Sequence, residues 1–562
     1  MSIICPVPGN PMMFTQTLGL LAAAALTSAA GFEPVEATVD SVHAALYGGT
    51  ATCHDVVSAF ISRIVAYNPQ VNAIITLNPN ALTIASELDA ELKAGNATGS
   101  LFCVPILLKD NFDTFDMKTT AGSVALKDNQ PAMDTPAVTA FRNAGAVILG
   151  KTNLHEFALE GISVSTLGGQ TINPYDSTRT PGGSSGGSGA GVASSFSVLA
   201  TCTDTVNSCR SPSSANSLVS IRSTRGLISR AGVVPISYTQ DVIGPIGRTV
   251  RDIATALTVM ASVGYDPDDN MTATIPSSSV GVDYTSFLKS GPPNFTGLRI
   301  GVLQGFFNRT DSAETTPVNI AVDGILEKIE ATGATLVPIN DTLYDAGEIS
   351  SLWDVQRYEF REAMDVYLTS RVSEGNSNIP KTLPEIYAGH DFVVLPSQYE
   401  YVNSSLKWST GNTTYSVVKQ QIAVNLTLAL ASTFSRNSLD AIIYPEQKNL
   451  VVKLGSPSQS GRNGILAALT SSPVVALPAG FSEPTETAPI GVPIGLELLG
   501  KPWEEGKLLQ IAGMIESLTR VRKAPILKAA KGNLTMTFDS VPTITPNRSN
   551  ILYPIGTLNP AA

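Results

Sequence analysis

Serine residues within glycine-rich segments are the first candidates for chemistry in this sequence. Gly183-Ser184-Ser185-Gly186-Gly187 fits the G-x-S-x-G pattern of a serine-hydrolase nucleophile elbow. Such an elbow needs a strand directly before the serine and a histidine base later in the chain. Residues 175–181 do not have the pattern of a strand, and only His390 follows residue 155. A serine–histidine hydrolase is therefore disfavoured.

A second segment, from Gly145 to Thr152 (GAVILGKT), fits the pattern of a phosphate-binding loop. That loop binds phosphate through free backbone amides between its two glycines. The four residues between the glycines here are apolar and typical of a strand, so their amides are expected to pair in a sheet. We predict no nucleotide site at this segment.

Residues 182–191 consist entirely of glycine, serine and alanine. A flexible linker is one interpretation of this composition. The segment is short, however, and it lies between apolar segments. This position favours a tightly packed loop and helix start, in which small side chains let the backbone approach a substrate closely.

Several separated segments, in this order, resemble the amidase signature family. They are VPILLKDN from Val104, TTAGS from Thr119, GKTNLHEF from Gly150, PGGSSGGS from Pro181, TDTVNSCRSP from Thr203, LPAG from Leu477 and GVPIGLELLG from Gly491. The resemblance covers roughly residues 40–525. It implies a secreted, fungal-type member of the family that is somewhat like the peptide amidases. The fold it implies is α/β: a single large domain with a mixed, twisted β-sheet flanked by helices on both faces.

The resemblance implies a catalytic triad in which Ser208 is the nucleophile, Ser184 the bridging serine and Lys109 the base. Ser184 and Ser208 are 24 residues apart, which is the family's interval between these two serines. The chemistry is reasonable, because a serine hydroxyl needs a neighbour that accepts its proton. A neutral lysine can do this once burial has lowered its pKa. Lys109 follows a five-residue apolar run, which suits a desolvated amine.

The resemblance also implies an oxyanion hole made by backbone N–H groups of Thr205, Val206 and Asn207. Two glycines are commonest where Val206 and Asn207 stand, so a positive φ at Val206 would strain this turn. The family holds the peptide bond before the middle serine in the cis form. The remaining substrate-binding or supporting residues that it implies are Gly183, Ser185, Asp204 and Arg210. No metal and no organic cofactor are implied.

The composition limits the classes of partner. Apolar residues make up 43% of the 562 residues and charged residues 15%, which indicates a globular chain. The formal net charge is −11, and no basic stripe is present. We therefore expect neither a nucleic-acid partner nor an anionic membrane surface. The expected partner is a small-molecule or peptide amide substrate, and the protein is expected to be a monomer or a homodimer.

The N-terminus and the sequons predict a secreted glycoprotein. Residues 1–30 carry no Asp, Glu, Lys or Arg, and a short apolar run (LGLLAAAAL, from Leu18) precedes small residues suited to cleavage before Gly31. The predicted organisation is a signal peptide over 1–30, an amidase domain over 31–527 and a polar C-terminal extension over 528–562. Ten sequons are glycosylation candidates: Asn96, Asn270, Asn294, Asn308, Asn340, Asn403, Asn412, Asn425, Asn533 and Asn547.

The cysteines fit an oxidising compartment. Cys5 would leave with the signal peptide, and the four that remain (Cys53, Cys103, Cys202 and Cys209) allow three disulfide pairings. Cys209 is expected to be a packing residue or one half of a disulfide rather than a catalyst. The four histidines are scattered and no CxxC spacing occurs, so no zinc site is predicted.

Helical and strand patterns alternate along the chain and would position these residues. Residues 39–72 have apolar side chains at helical spacing. Short apolar runs that predict buried strands occur at 104–108, 146–149, 198–201, 298–303, 441–444 and 473–477. Residues 270–294 are rich in Pro and Ser and predict a surface insertion. This alternation predicts an α/β layered architecture.

The function predicted from the sequence is a serine amidase that hydrolyses a carboxylic amide to an acid and ammonia or an amine. One alternative is the glutamine-hydrolysing subunit of a tRNA-dependent amidotransferase, and another is a biosynthetic amidase specific for one metabolite. An alternative of a different class is a non-catalytic binding protein on the same fold. The sequence does not identify the amide substrate.

Overall fold

The computed structural model describes residues 31–528 and 538–558. The predicted signal peptide, Cys5 and the sequon at Asn533 lie outside these residues. The strands of the described part are, in chain order, β1 (Ile74–Leu77), β2 (Pro105–Lys109), β3 (Val147–Thr152), β4 (Val164–Ser165), β5 (Gly169–Gln170), β6 (Leu199–Asp204), β7 (Val219–Arg222), β8 (Val242–Gly247), β9 (Arg299–Leu303), β10 (Thr335–Ile339), β11 (Phe392–Val393), β12 (Ala441–Pro445), β13 (Val474–Phe481), β14 (Pro493–Leu499) and β15 (Ile555–Gly556).

Eleven of these strands form one mixed sheet, in the order β1-β3-β2-β6-β8-β7-β13-β14-β12-β9-β10. Strand β2 runs parallel to both β3 and β6, and β9 runs parallel to β10 and β12. The other pairs in this sheet are antiparallel. The prediction of one large α/β domain around a mixed sheet is confirmed.

Helices surround the sheet, and several of them pack directly against its strands. They are α1 (Val39–Tyr47), α2 (Cys53–Val71), α3 (Ala81–Lys93), α4 (Pro136–Asn143), α5 (Gly186–Ala193), α6 (Arg210–Ala215), α7 (Val250–Ala261), α8 (Thr316–Ala331), α9 (Ala346–Trp353), α10 (Gln356–Ser373), α11 (Leu383–Gly389), α12 (Pro396–Lys407), α13 (Thr413–Gln421), α14 (Leu428–Asn437), α15 (Ile465–Thr470) and α16 (Glu505–Thr519). A π-helical segment, Ile422–Thr427, joins α13 to α14. The helices that pack directly against the strands include α5, α7, α8 and α16.

The predicted elements agree with these bounds. The helical pattern at 39–72 becomes α1 and α2, whose N-caps Thr38 and Thr52 each accept a hydrogen bond from a backbone N–H of the first turn. The segment that fits a phosphate-binding loop contains β3, which is buried along its whole length. Its residues pair with β1 and β2, as the apolar sequence predicted.

Of the three possible cysteine pairings, the structure shows Cys53–Cys103 and Cys202–Cys209. The first joins the start of α2 to the loop before β2. The second joins β6 to the residue before α6. Cys209 is therefore one half of a disulfide, one of the two roles expected for it.

The ends of the predicted domain organisation remain a prediction, but residues 538–558 pack back onto the preceding chain. Strand β15 pairs with β11, and Asn547 donates its backbone N–H to Asn72 Oδ1 at 2.9 Å. Residues 270–287 form three short 3-10 turns, mostly exposed, in the expected insertion: Asn270–Thr274, Ser277–Ser279 and Tyr284–Phe287. None of the helices within the described ranges combines the length and apolar character needed to span a bilayer.

Candidate active site

Lys109 is the last residue of the fully buried strand β2. Its ammonium nitrogen Nζ lies 2.7 Å from Ser184 Oγ and 2.7 Å from Thr203 Oγ1. The backbone N–H of Lys109 donates to Thr201 Oγ1 at 3.0 Å, which ties the strand end to β6. Two neighbouring strands and the loop before α5 thus bring the amine and two hydroxyl groups together.

The surroundings of Lys109 favour its neutral form. Complete burial lowers the pKa of Lys109 from 10.5 to about 7, and this effect exceeds the opposing influence of Asp204 and Asp241. Neither Ser184 nor Thr203 carries a charge, so neither offsets the cost of burying an ammonium ion. A lysine in this position can accept a proton near neutral pH.

The backbone around Ser184 is held in an unusual conformation. The peptide bond between Gly183 and Ser184 is cis, as the resemblance implied. The carbonyl of Ser184 accepts a hydrogen bond from the backbone N–H of His155 at 3.0 Å. The hydroxyl of Ser163 donates to Gly182 O at 2.7 Å and accepts from the N–H of Gly186 at 3.0 Å. The loop is thereby fixed by hydrogen bonds at several points.

Gly186 and Gly187, at the start of α5, approach other parts of the protein chain rather than a substrate. The small residues were expected to let the backbone approach a substrate. A Cβ at Gly187 would instead lie 2.3 Å from Asn153 O and 2.6 Å from Ala73 O, and one at Gly186 would lie 2.1 Å from Ser163 Oγ. These glycines are required because α5 packs closely against the protein's own chain.

Ser208 lies in the turn between β6 and α6, next to the loop that carries Ser184. The N–H of Ser185 donates to Ser208 O at 3.2 Å, and the Ser185 hydroxyl donates to Thr203 O at 3.4 Å. Ser208 is 7% exposed and lines a cavity of about 410 Å³. Ser184 is fully buried behind it. Ser208 is therefore the member of the trio that a substrate can reach.

The turn at residues 205–208 presents free backbone donors. Within the part of the chain that the structure describes, none of its four N–H groups donates a hydrogen bond to another residue. Neither Val206 nor Asn207 has a positive φ. The turn therefore accommodates these side chains without the strain that a positive φ at Val206 would have caused. Free N–H groups beside a serine are what an oxyanion hole requires.

Asp204 and Arg210 do not face the cavity but support the turn from below. Arg210 binds both oxygens of Glu497 at 2.7 and 2.8 Å, and both oxygens of Asp204 at 3.0 Å. Arg222 contacts Asp204 Oδ1 at 2.8 Å, and all four side chains are buried. Although burial opposes the charged form, Arg210 and Arg222 hold the pKa of Asp204 well below its usual value. Paired charges of this kind fix the ends of β6 and α6.

The cavity beside Ser208 carries charges of both signs. Acidic and basic side chains share its wall: Glu160, Asp345, Asp354, Arg357, Lys448 and Arg462. A second, more apolar cavity of about 380 Å³ shares Ala158 and Thr205 with it. Within the described residues, no cluster of three or more His, Cys, Asp or Glu side chains is arranged to hold a metal ion.

Comparison with known proteins adds an independent observation. The sequence model of the family described as Amidase matches residues 55–509. The chain belongs to the amidase family. Its catalytic class is therefore a hydrolase of amide C–N bonds.

Relatives of this amidase include an amidotransferase subunit and a peptide amidase. A glutamyl-tRNA(Gln) amidotransferase subunit of Microcystis aeruginosa is 31% identical over 508 residues, which cover 86% of this chain and 97% of that protein. The crystal structure of the peptide amidase of Stenotrophomonas maltophilia superposes with a TM-score of 0.75 at 29% identity, covering 88% of this chain and 99% of the other. An amidase family protein of Bacillus anthracis gives a TM-score of 0.73 at 27% identity, with coverages of 88% and 93%.

Several residues of the amidase site could not be recognised from the sequence. Thr203 contacts the lysine amine, and Ser163 holds the loop around Ser184, yet an isolated threonine or serine carries no signal in a sequence. Glu497 does carry one, because it interrupts the apolar run of β14 (PIGLELL). A carboxylate inside a buried strand needs a cationic partner, and Arg210 is that partner.

Proposed function

We propose that this amidase works through Ser208 as the nucleophile, Ser184 as the proton relay and Lys109 as the general base. The observation that carries this assignment is the 2.7 Å contact between Lys109 Nζ and Ser184 Oγ, made by a lysine whose pKa burial lowers to about 7, so that it can gain and lose a proton near neutral pH. The serine hydroxyl both donates and accepts, so a proton can pass through it.

In the first step, Ser208 Oγ attacks the carbonyl carbon of the amide. Its proton moves to Ser184 Oγ as the proton of Ser184 moves to Lys109 Nζ. The free N–H groups of residues 205–208 stabilise the negative oxygen of the tetrahedral intermediate. The C–N bond then breaks, the nitrogen takes a proton back through the relay, and an acyl ester of Ser208 remains.

In the second step, water attacks the acyl ester. The relay accepts a proton from the water molecule, and Ser208 Oγ leaves with a proton returned by the same path. The products are a carboxylic acid and ammonia or an amine, and the enzyme is restored. Esters that reach the same acyl-enzyme are expected to be hydrolysed as well.

For the substrate class, we propose a peptide or peptide-like amide. The cavity at Ser208 has acidic and basic groups in its wall, which suit a substrate with several polar groups better than a simple hydrocarbon amide. The similarity to the peptide amidase of Stenotrophomonas maltophilia supports the same class.

The test is ammonia or amine release from a panel of peptide amides, alkyl amides and aryl amides. We expect release from at least one peptide amide and its loss in Ser208→Ala. Ser213→Ala is a matched control, because this buried hydroxyl on α6 donates only to Cys209 O. Turnover in Ser208→Ala comparable to wild type would exclude the assigned nucleophile.

A second candidate is glutamine hydrolysis, and the 31% identity to a component of a glutamyl-tRNA(Gln) amidotransferase favours it. Free glutamine in the same panel separates the two functions. Release of ammonia from glutamine alone, with no turnover of peptide amides, would replace the first candidate by the second.

We also propose that the protein is a secreted glycoprotein. Seven of the nine sequons in the described residues have an exposed asparagine, two are half-buried and none is buried. Two disulfides fit an oxidising compartment. Treatment of the protein secreted from a eukaryotic host with an N-glycosidase should lower its mass by several glycans, and an unchanged mass would contradict the proposal.

A further inference from the structure

A buried carboxyl group lies against the turn that carries the free backbone donors. Glu446 directly follows β12 and is fully buried. The side-chain amide of Asn207 donates to Glu446 Oε1 at 2.9 Å. The proposed mechanism uses neither side chain, and the two residues are 239 positions apart in the sequence.

The backbone of Glu446 is held on both sides. Its N–H donates to Gly495 O at 3.1 Å, and its carbonyl accepts the N–H of Asn463 at 3.2 Å. The Asn463 side chain donates in turn to Pro445 O at 2.8 Å. The carboxyl group therefore extends from a fixed point of the sheet toward the turn.

The rest of the turn is packed against Gly464 and Arg210. A Cβ at Gly464 would lie 2.4 Å from Asn207 Cβ and 2.4 Å from Val206 O. Arg210 donates to Val206 O and to Gly464 O. Two side chains of the turn are anchored to other elements: Thr205 donates to Asp241 Oδ1 at 2.7 Å, just before β8, and Asn207, next to Ser208, donates to Glu446 after β12.

Three charged groups surround Glu446: Asp204 on β6, Glu497 on β14 and Arg210 on α6. Burial, together with the negative charge of Glu497, raises the pKa of Glu446 above its usual value. In either protonation state its Oε1 can accept the amide hydrogen of Asn207.

We infer that Glu446 is a positioning residue for the oxyanion turn, acting through the side-chain amide of Asn207. This inference rests on the proposed function, since it assumes that the N–H groups beside Ser208 bind the oxyanion. The contact sets the direction of the Asn207 backbone N–H. Because a displacement of about 1 Å at a reacting centre can cost about a hundredfold in rate, its loss should lower kcat more than it changes KM.

The first set of variants removes the contact. Asn207→Ala and Glu446→Ala should each lower kcat about tenfold to a hundredfold, with KM changed by less than about threefold. The double variant should lose no more kcat than either single variant, because the two substitutions remove the same hydrogen bond. Glu446→Gln keeps the accepting oxygen and should retain kcat within about threefold.

The second set exchanges donor and acceptor. Asn207→Asp alone replaces the amide donor by a second carboxyl group opposite Glu446, and this variant should lose activity. Adding Glu446→Gln should restore most of kcat, because the glutamine amide can donate to the new carboxylate. Glu505→Ala is the matched control: it removes another fully buried carboxyl group, which accepts from the N–H of Thr224 and lies in α16 away from the turn. It should lower Tm and leave kcat unchanged.

The outcomes distinguish the inference from the proposed function. Turnover in Ser208→Ala would refute the proposed function, whatever the other variants do. With Ser208→Ala inactive, wild-type kcat in folded Asn207→Ala would overturn the role of the contact. The inference is also overturned if the Asn207 and Glu446 variants and the Glu505→Ala control all lose kcat in the same proportion to their loss of Tm. It is overturned as well if the doubly exchanged variant is folded and remains inactive.

Discussion

The pH dependence of kcat/KM provides a quantitative prediction, because one buried lysine must be neutral before catalysis can begin. The fall in the pKa of Lys109 from 10.5 to about 7 corresponds to roughly 5 kcal/mol in favour of the neutral amine. At pH 6 about one-tenth of the enzyme would carry a neutral lysine, and at pH 8 about nine-tenths. We therefore expect kcat/KM to rise about tenfold between pH 6 and pH 8 and to level off above pH 8.

A lysine with an ordinary pKa would give a different profile. Its neutral fraction would rise about a hundredfold between pH 6 and pH 8 and would continue to rise beyond pH 9. The assay is ammonia release at low substrate concentration over pH 5.5 to 9.5, since kcat/KM reports the free enzyme.

The comparison variant for this experiment is Lys109→Arg. A guanidinium group remains protonated throughout this range, so we expect about a hundredfold to ten-thousandfold loss at every pH. A flat profile in the wild type, or an increase without a plateau, would refute the assignment of Lys109 as a desolvated base. Wild-type activity in Lys109→Arg would refute it as well.

Two further predictions concern the framework of the site. Gly187→Ala should lower the free energy of unfolding by about 1–3 kcal/mol, because the new Cβ would clash with Asn153 O. Gly324→Ala on α8 is the comparison variant: its Cβ would meet open space, so the free energy of unfolding should rise by up to about 1 kcal/mol from helix propensity. Denaturant titrations of both variants check this, and equal effects would contradict the packing argument. Cys53→Ser should lower the free energy of unfolding by about 4 kcal/mol, because the bond to Cys103 closes a loop of 50 residues. The kcat of the folded variant should be unchanged, and a lower kcat in fully folded protein would contradict this by showing that the disulfide affects the active site.

The strands and the site were predictable to different degrees. Apolar runs such as residues 104–108 are short and flanked by turns, and burial on both faces of a sheet selects such runs. For the same reason Gly145 to Thr152 was predicted as a strand rather than a phosphate-binding loop, and β3 lies there. The motif order located Lys109, Ser184 and Ser208, and the fold brings the first two into contact.

Long-range partners could not be derived in the same way. The contacts between Asn207 and Glu446, and between Arg210 and Glu497, join residues more than 200 positions apart. A single sequence contains no signal that pairs such residues, because the pairing depends on the order of strands in the sheet. The cysteine pairing was open for the same reason, since spacing alone allows three arrangements.

The most direct test of the account is the identity of the acylated residue. The enzyme would be mixed with an activated ester, quenched in acid within the first turnover and examined by intact mass and peptide mapping. The account predicts one acyl group per chain, located on Ser208 and absent from Ser208→Ala. An acyl group on another residue, or steady turnover with no acylated enzyme in any trapped fraction, would contradict the serine mechanism.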